Sequence, residues 1–223
     1  MRLYLVLALV ATQSLHADWV IVQKSVADDK HLTITTKMKD NMIRSDVGDQ
    51  MTAMINRSDG MMQIYMHSRK TSMRVDSAAI KGASALAGKF LGGGDDSQPA
   101  KPKATGEKVK VGDWDTEVYT WQGKIGSGKF YVAKDFPKFA ELNAVMDKTS
   151  KSISNPVGGM FPSFAEFPGM VVKSETTIMG RTKVTELVSA KEEPVSADDF
   201  KPLEGYTEMT MPSFPGGTRP PKP

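Results

Sequence analysis

The sequence contains no cysteine, which excludes disulfides, thiolate metal sites and cysteine nucleophiles. Histidine is also scarce, with three in 223 residues. Zinc needs three or four positioned ligands, and the two histidines beyond the N-terminal segment, His31 and His67, lie in no cluster with ligand spacing. We therefore expect neither a metal site nor a cofactor.

The charge balance is close to even, and no long apolar run follows residue 17. Lysine and arginine total 29 against 26 for aspartate and glutamate, which leaves a net charge of +3. This excess is too small for the basic surface of a nucleic-acid-binding protein. A membrane-spanning helix needs about 20 apolar residues, and the chain beyond residue 17 has no such stretch. We expect no nucleic-acid partner and no transmembrane segment in the mature chain.

Motifs for catalysis are equally sparse. There is no G-x-S-x-G nucleophile motif, and the adjacent carboxylates Asp28-Asp29 and Asp198-Asp199 are explained by turns. The run GKIGSGKF at 123–130 matches a phosphate-binding loop until Phe130, which stands where a serine or threonine should bind magnesium. It also leads into a predicted strand rather than a helix. We expect the chain not to be an enzyme, although a hydrolase using carboxylates distant in sequence stays open as a third class.

The first 17 residues have the pattern of a secretory signal peptide. Arg2 precedes an apolar run from Leu3 to Ala11, which is too short for a spanning helix. We place the cleavage site after Ala17 and expect the mature protein to be periplasmic or secreted. Without cysteine it cannot be anchored as a lipoprotein.

Residues 18–76 alternate between apolar and polar positions, which is typical of antiparallel strands. In HLTITTKMK, at 31–39, Leu32, Ile34, Thr36 and Met38 share one face. Short polar clusters that favour hairpin turns separate the runs. The predicted strands lie near 19–26, 31–39, 41–47, 50–56, 61–67 and 71–76.

The rest of the chain predicts a mixture of elements that continue the same domain. We expect a helix over 77–91, a flexible loop at 92–108, two or three strands within 109–133, a helix over 137–152, strands over 170–179 and 181–190, and a turn opened by Ser196. A single domain then covers 18–211, and the proline-rich residues 212–223 form a tail. The length of 223 residues is compatible with one such domain.

Methionine is the compositional oddity, with 15 in the chain and many of them within 38–73. Thioether side chains could fill an ordinary core, line an adaptable apolar pocket, or form a Cu(I) site. The second interpretation supplies candidate ligand-binding residues, each of which an ordinary core would also explain. They are Met38, Met62, Ile64, Met66, Phe90 and Trp121.

Three motifs carry a resemblance to a known family. They are R-x-D followed by a Gly-Asp turn at 44–49, G-x-W-x-x-E-x-Y at 112–119, and the ending FKPLEGY at 200–206, which departs from the usual F-x-P-x-G-Y form. With the export signal, they resemble exported bacterial proteins of unknown function, a family itself similar to the lipoprotein-carrier (LolA and LppX-like) half-barrels. The resemblance covers most of the mature chain.

The resemblance implies an α+β, mainly β fold. In it a strongly curved antiparallel sheet, a half-barrel of about eleven strands by the pattern above, carries two helices over its concave face. It also implies a cavity for an acyl chain or other apolar partner, and no catalysis. The leading hypothesis is an exported, non-enzymatic envelope protein that binds an apolar or lipid-like ligand. The alternative is an interaction or scaffold module with a filled core, which binds an envelope protein and no small molecule.

Overall fold

The computed structural model describes residues 18–76, 101–123, 126–152 and 162–209. Within these ranges the chain forms one sheet of twelve strands. The expected mainly β fold is therefore confirmed. The predicted signal peptide at 1–17, the predicted helix at 77–91 and the predicted tail at 212–223 lie outside the described residues.

The first six strands form the predicted meander. Alternating side chains and short turns produce it, because each strand pairs directly with the next through an antiparallel ladder. For each of these strands the observed and predicted bounds agree at one end and differ by one residue at the other. The strands are β1 (Trp19–Ala27), β2 (Lys30–Lys39), β3 (Met42–Val47), β4 (Met51–Asn56), β5 (Met61–Met66) and β6 (Thr71–Val75).

The described residues of the second half of the chain contribute six further strands and one α-helix. They are β7 (Lys103–Val111), β8 (Trp114–Gln122), β9 (Gly126–Ala133), α1 (Phe139–Ser152), β10 (Met170–Ile178), β11 (Arg181–Glu192) and β12 (Thr207–Met209). One boundary of the predicted loop at 92–108 was wrong, because β7 begins at Lys103. Its first six residues, 103–108, are exposed and lack an apolar alternation, and the ladder with β8 holds them in the sheet.

The sheet is curved and open rather than closed. Its order is β12-β6-β5-β4-β3-β2-β1-β11-β10-β9-β8-β7, so the antiparallel pair of β1 and β11 joins the two halves of the chain. The described sheet has twelve strands, whereas about eleven were predicted, because β12 pairs at one edge of the sheet. It pairs with β6 in parallel, unlike the antiparallel pairs elsewhere in the described sheet.

In the described residues there is one α-helix rather than the two expected. Phe139, Leu142, Val145 and Met146 of α1 form the predicted apolar stripe at helical spacing. Leu142 is fully buried, in the same core cluster as Trp19, and the other three side chains pack against that cluster. We call the side of the sheet that α1 covers the helix-side face.

Two other segments cover the opposite face. At β8 to β10, Phe167 packs with Tyr119, Phe130, Val132 and Val171 in a second buried cluster. Over β2 to β6 lies the C-terminal segment, residues 196–206, which includes the turn opened by Ser196. The Ser196 side chain accepts a hydrogen bond from the Asp198 N–H, as the predicted capped turn requires.

The turn between β10 and β11 offers a test of the hairpin geometry. Met179 and Gly180 have φ angles of +49° and +79°, as a type I′ turn requires, and the Met179 side chain is 70% exposed. Met179→Asn should stabilise the protein by about 0.5–1 kcal/mol, because asparagine tolerates the left-handed region better. Thermal unfolding should show a higher Tm for this variant and a lower one for Gly180→Ala. An unchanged or lower Tm for Met179→Asn would contradict the assigned turn.

Candidate functional site

A cavity of about 570 Å³ lies where β1, β11 and the connection from β9 to α1 meet. Three of its lining residues, Trp19, Phe136 and Leu187, belong to the core cluster that contains Leu142. The cavity is therefore on the helix-side face. Its lining includes Trp19, Trp114, Phe136, Leu187, Ala190 and Lys138.

Local structure explains how the aromatic wall forms. Gly112, with φ of +56°, allows the tight turn from β7 into β8 and brings Trp114 to the start of β8. Phe136 follows the end of β9, and its ring centroid lies 4.7 Å from that of Trp114. The motif at 112–119 thus contributes directly to the cavity.

Both charge signs occur among the lining residues. Lys138 forms an ion pair with Glu192, and this hydrogen bond raises the pKa of the Lys138 amine. Lys191 and Glu193 also line the cavity. Two lysines and two glutamates leave no net charge, so the cavity selects neither anions nor cations by charge alone.

The predicted lining residue Met38 lies beside this cavity. It pairs with Trp19 on β1 and with Ile43 on β3, which in turn pairs with Ile55 on β4. Ile55 pairs with Met62 on β5. Residues opposite each other in a ladder point to the same face, so these five form one apolar row across the helix-side face.

Ile64 and Met66 extend the same surface. They alternate with Met62 along β5 and therefore share its face. All three are half-buried, whereas Met38 is buried. The structure thus brings Met38, Met62, Ile64 and Met66 onto one apolar face, and the alternation in the sequence had predicted a common face for Met62, Ile64 and Met66.

Trp121 does not join this face. It is buried with Tyr119 in the second cluster, whereas their neighbour Val118 belongs to the cluster with Met38. Neighbouring residues of a strand point to opposite faces, so Trp121 lies across the sheet from the predicted methionines. The last candidate, Phe90, lies outside the described residues.

The glycine-rich run at 123–130 forms a hairpin between β8 and β9. The Gly123 N–H donates to the Gly126 carbonyl over 2.8 Å, and β9 then continues as a strand. A second cavity, of about 560 Å³, lies beside it and includes Ser127, Gly128 and Lys129. Because no helix N-terminus follows the run, the geometry of a phosphate-binding loop is missing.

A polar network on the opposite face was not predicted. His67 lies in a short 3-10 turn after β5, and its Nε2 is 3.0 Å from the hydroxyl of Thr52. Its Nδ1 is 2.5 Å from the hydroxyl of Tyr206, in the C-terminal segment. His67 and Tyr206 are 139 positions apart in the sequence, so no local signal could have revealed this contact.

The same network joins two of the family-like motifs. Arg44 Nε donates to both carboxylate oxygens of Asp46, at 3.0 and 2.9 Å, and Arg44 Nη1 donates to the Asp199 carbonyl. The Thr52 hydroxyl donates to Asp46 over 2.6 Å. Burial by itself raises the pKa of Asp46, but the hydrogen bonds from Arg44 and Thr52 outweigh it and hold that pKa below its usual value. The network therefore ties the C-terminal segment to β3 and β4.

Two general features complete the description. In 18–76, 101–123, 126–152 and 162–209, no helix is long and apolar enough to cross a membrane. The same ranges hold no group of three or more side chains that could bind a metal ion.

Comparison with known proteins identifies a family. No curated protein matches the sequence. Two structures of PNGF-II align with 87% of this chain and with 31% and 32% of theirs, at 11% and 12% identity and TM-scores of 0.41 and 0.40. A DUF1329 protein from Desulfovibrio piger aligns over 83% of this chain and 90% of its own, at 11% identity and a TM-score of 0.31.

The chain thus spans about a third of the PNGF-II chains, and none of these alignments is close enough to transfer a function. A protein-family match also covers most of the chain. Residues 22–206 match a domain of unknown function, DUF4412. The match begins within β1 and ends at Tyr206 of the polar network. The chain therefore belongs to the DUF4412 family.

Proposed function

We propose that this chain is a non-enzymatic binding protein of the bacterial envelope, periplasmic or secreted, which holds an apolar or lipid-like ligand on the helix-side face. The observation that carries the proposal is the cavity of about 570 Å³, since small-molecule sites typically measure about 300–1,000 Å³. Aromatic and aliphatic side chains dominate its lining, as is usual for such sites.

The surface beside the cavity supports the same function. Trp19 belongs both to the cavity wall and to the apolar row that ends at Met62. Met62, Ile64 and Met66 are half-buried, and methionine side chains adapt to ligands of different shape. An elongated apolar molecule seated in the cavity could therefore extend along the row.

The first experiment identifies any molecule that the protein carries. The mature chain is purified from an exporting host without detergent, and its solvent extract is compared by mass spectrometry with a mock purification. We expect a stoichiometric apolar molecule. An empty extract, with no thermal shift on adding lipids, would contradict the proposal and favour the scaffold function with a protein partner.

A substitution then tests whether the ligand binds in this cavity. Ala190→Phe should fill part of the cavity, because Ala190 is half-buried and lines it. We expect the affinity for the neutral fluorescent probe N-phenylnaphthylamine to fall roughly tenfold, which corresponds to about 1.4 kcal/mol. Circular dichroism checks that the variant is folded.

The matched control is Ala165→Phe, an exposed position on the 3-10 turn 164–166, outside the cavity. It should leave the affinity for the probe unchanged. Equal affinities for wild type, Ala190→Phe and Ala165→Phe would exclude this cavity as the binding site.

A further inference from the structure

The second cavity, beside the hairpin of β8 and β9, is positively charged. Its lining residues include three lysines, Lys101, Lys103 and Lys129, and a single glutamate, Glu175, which leaves an excess of two positive charges. The cavity beside Trp19 has no such excess, because its two lysines and two glutamates balance. A concave surface with charge of one sign attracts ligands of the other sign, so the second cavity favours anions.

The ladder geometry brings two of the lysines together. Lys103 pairs with Thr120 across β7 and β8, and Thr120 pairs with Lys129 across β8 and β9. Residues opposite each other in a ladder point to the same face, and two strand spacings separate the backbones of the two lysines by about 10 Å. Lys103 is exposed and the Lys129 side chain is 37% exposed, so a dissolved ligand can reach both amines.

Glu175 does not cancel the positive charge of the cavity, because it is already paired. Its carboxylate accepts hydrogen bonds from Lys173 Nζ at 2.8 Å and from the Tyr131 hydroxyl at 3.0 Å. The bond from Lys173 is the main reason that the pKa of Glu175 is lowered. Lys173 is not among the lining residues, so it adds a positive charge that offsets this glutamate.

The lysines of the cavity are mostly free to bind an anion. Lys129 has one acidic partner, Glu107, at 3.4 Å, and exposed ion pairs of this kind contribute little. In the described part of the chain, Lys101 and Lys103 form no ion pair. Their two charges therefore remain uncompensated.

A polar row lies next to the lysines on the same face. Each of its first three members is two residues along its strand from Thr120, Lys129 or Glu175, and successive members pair directly across the ladders. Hydroxyl and amide groups both donate and accept hydrogen bonds, as the hydroxyls of a sugar do. The row consists of Gln122, Ser127, Thr177 and Thr182.

We propose that this cavity binds a phosphate monoester of a small, hydroxyl-rich molecule, a sugar phosphate, with the phosphate group between Lys103 and Lys129 and the hydroxyls against the polar row. A phosphate monoester carries a charge of about −1.5 to −2 at pH 7, which matches the excess of two, and it has three strong acceptor oxygens. Lysine binds phosphate as a point charge, so neither a glycine-rich loop nor a helix N-terminus is required. The volume of about 560 Å³ is within the range of small-molecule sites.

This site is independent of the proposed apolar ligand. The two cavities share no lining residue among those described. Lys103→Gln should therefore leave the affinity for N-phenylnaphthylamine unchanged, and failure of either proposal leaves the other standing.

The test is isothermal titration calorimetry with glucose 6-phosphate, glucose and inorganic phosphate, all at the same ionic strength. Wild type should bind glucose 6-phosphate at least about tenfold more tightly than either of the other two, since only this ligand engages both the lysines and the polar row. Lys103→Gln should weaken glucose 6-phosphate binding about tenfold, the effect of one hydrogen bond between charged groups. Circular dichroism checks the fold, which this exposed position should not disturb.

Lys110→Gln is the matched control, because Lys110 is exposed on the same strand and lies outside the cavity. It removes the same charge and should keep the wild-type affinity. The inference is wrong if Lys103→Gln and Lys110→Gln bind glucose 6-phosphate equally well, if glucose binds as tightly as its phosphate, or if none of the three compounds binds. Inorganic phosphate bound as tightly as glucose 6-phosphate would overturn the monoester and assign the free ion as the ligand.

A measurement on the wild-type protein locates the site without any substitution. In a ¹H–¹⁵N spectrum, glucose 6-phosphate should move the backbone amide resonances of Ser127 and Gly128, which line this cavity. It should leave the indole resonance of Trp114, in the other cavity, in place. Unmoved Ser127 and Gly128 resonances at a saturating ligand concentration would exclude this cavity as the site.

Discussion

Leu142→Ala is expected to lower the free energy of unfolding by about 2–5 kcal/mol, the range for truncating a buried leucine. Leu142 is fully buried between α1 and the helix-side face, in the cluster that includes Trp19 and Met38. The variant would leave a cavity that the surrounding sheet can close only in part. Urea denaturation at neutral pH, followed by circular dichroism, measures the loss.

The neighbouring Glu141→Ala provides the control, because Glu141 is exposed on the same turn of α1. Its effect should stay within about 0.5 kcal/mol. If Leu142→Ala costs less than about 1 kcal/mol, α1 is not packed against the sheet as described. The cavity beside the start of α1 would then lose its support as a binding site.

Asp46→Asn is expected to lower the free energy of unfolding by about 1.5–3 kcal/mol at pH 7, the range for hydrogen bonds to a charged group. Asp46 accepts two hydrogen bonds from Arg44 and one from Thr52, and the side chains of Arg44 and Asp46 are 20% and 26% exposed. The neutral amide weakens these contacts and leaves the guanidinium without its counter-charge. Urea denaturation again measures the difference.

The direction of the Asp46 pKa shift determines how the effect of Asp46→Asn on stability changes with pH. The folded-state pKa of Asp46 is lowered, so its stabilising contribution is present above the unfolded-state value of about 3.9 and is lost as the pH falls through the folded-state value. Wild type and Asp46→Asn should therefore differ most in stability above about pH 4 and converge as the pH falls through the folded-state pKa. Asp49→Asn, in the exposed turn after β3, is the control and should follow the wild-type curve. A constant difference between Asp46→Asn and wild type at all pH values would show that the charge is not the cause.

The strand pattern was predictable because its causes are local. Period-two alternation in β2 predicted which side chains face the core, and Met38 is buried as that alternation requires. Helical spacing predicted the stripe that includes Leu142, and Gly180 marked a turn that needs a positive φ. The first part of β7, residues 103–108, escaped prediction because it shows no apolar alternation, and pairing with β8 decides its conformation.

The candidate site was predictable only in part. Alternation placed Met62, Ile64 and Met66 on one face, and the uninterrupted hairpins from β2 to β5 kept that face in common with Met38. Trp121 could not be placed in the same way. Whether Trp121 lies on the same face as Met38 depends on the four strands that separate β8 from β2 in the sheet, which are β9, β10, β11 and β1. Two of the ladders that connect these strands contain register shifts.

By itself the sequence determined the antiparallel strands, their turns, the apolar stripe of α1 and the absence of cysteine chemistry, since each depends on residues close in the chain or on composition. Only the tertiary structure decided the open order of twelve strands, the cavity between Trp19 and Trp114, and the contact of His67 with Tyr206. These depend on pairing between distant segments, above all β1 with β11. Side-chain periodicity specifies the faces of a strand but not its partner across the sheet.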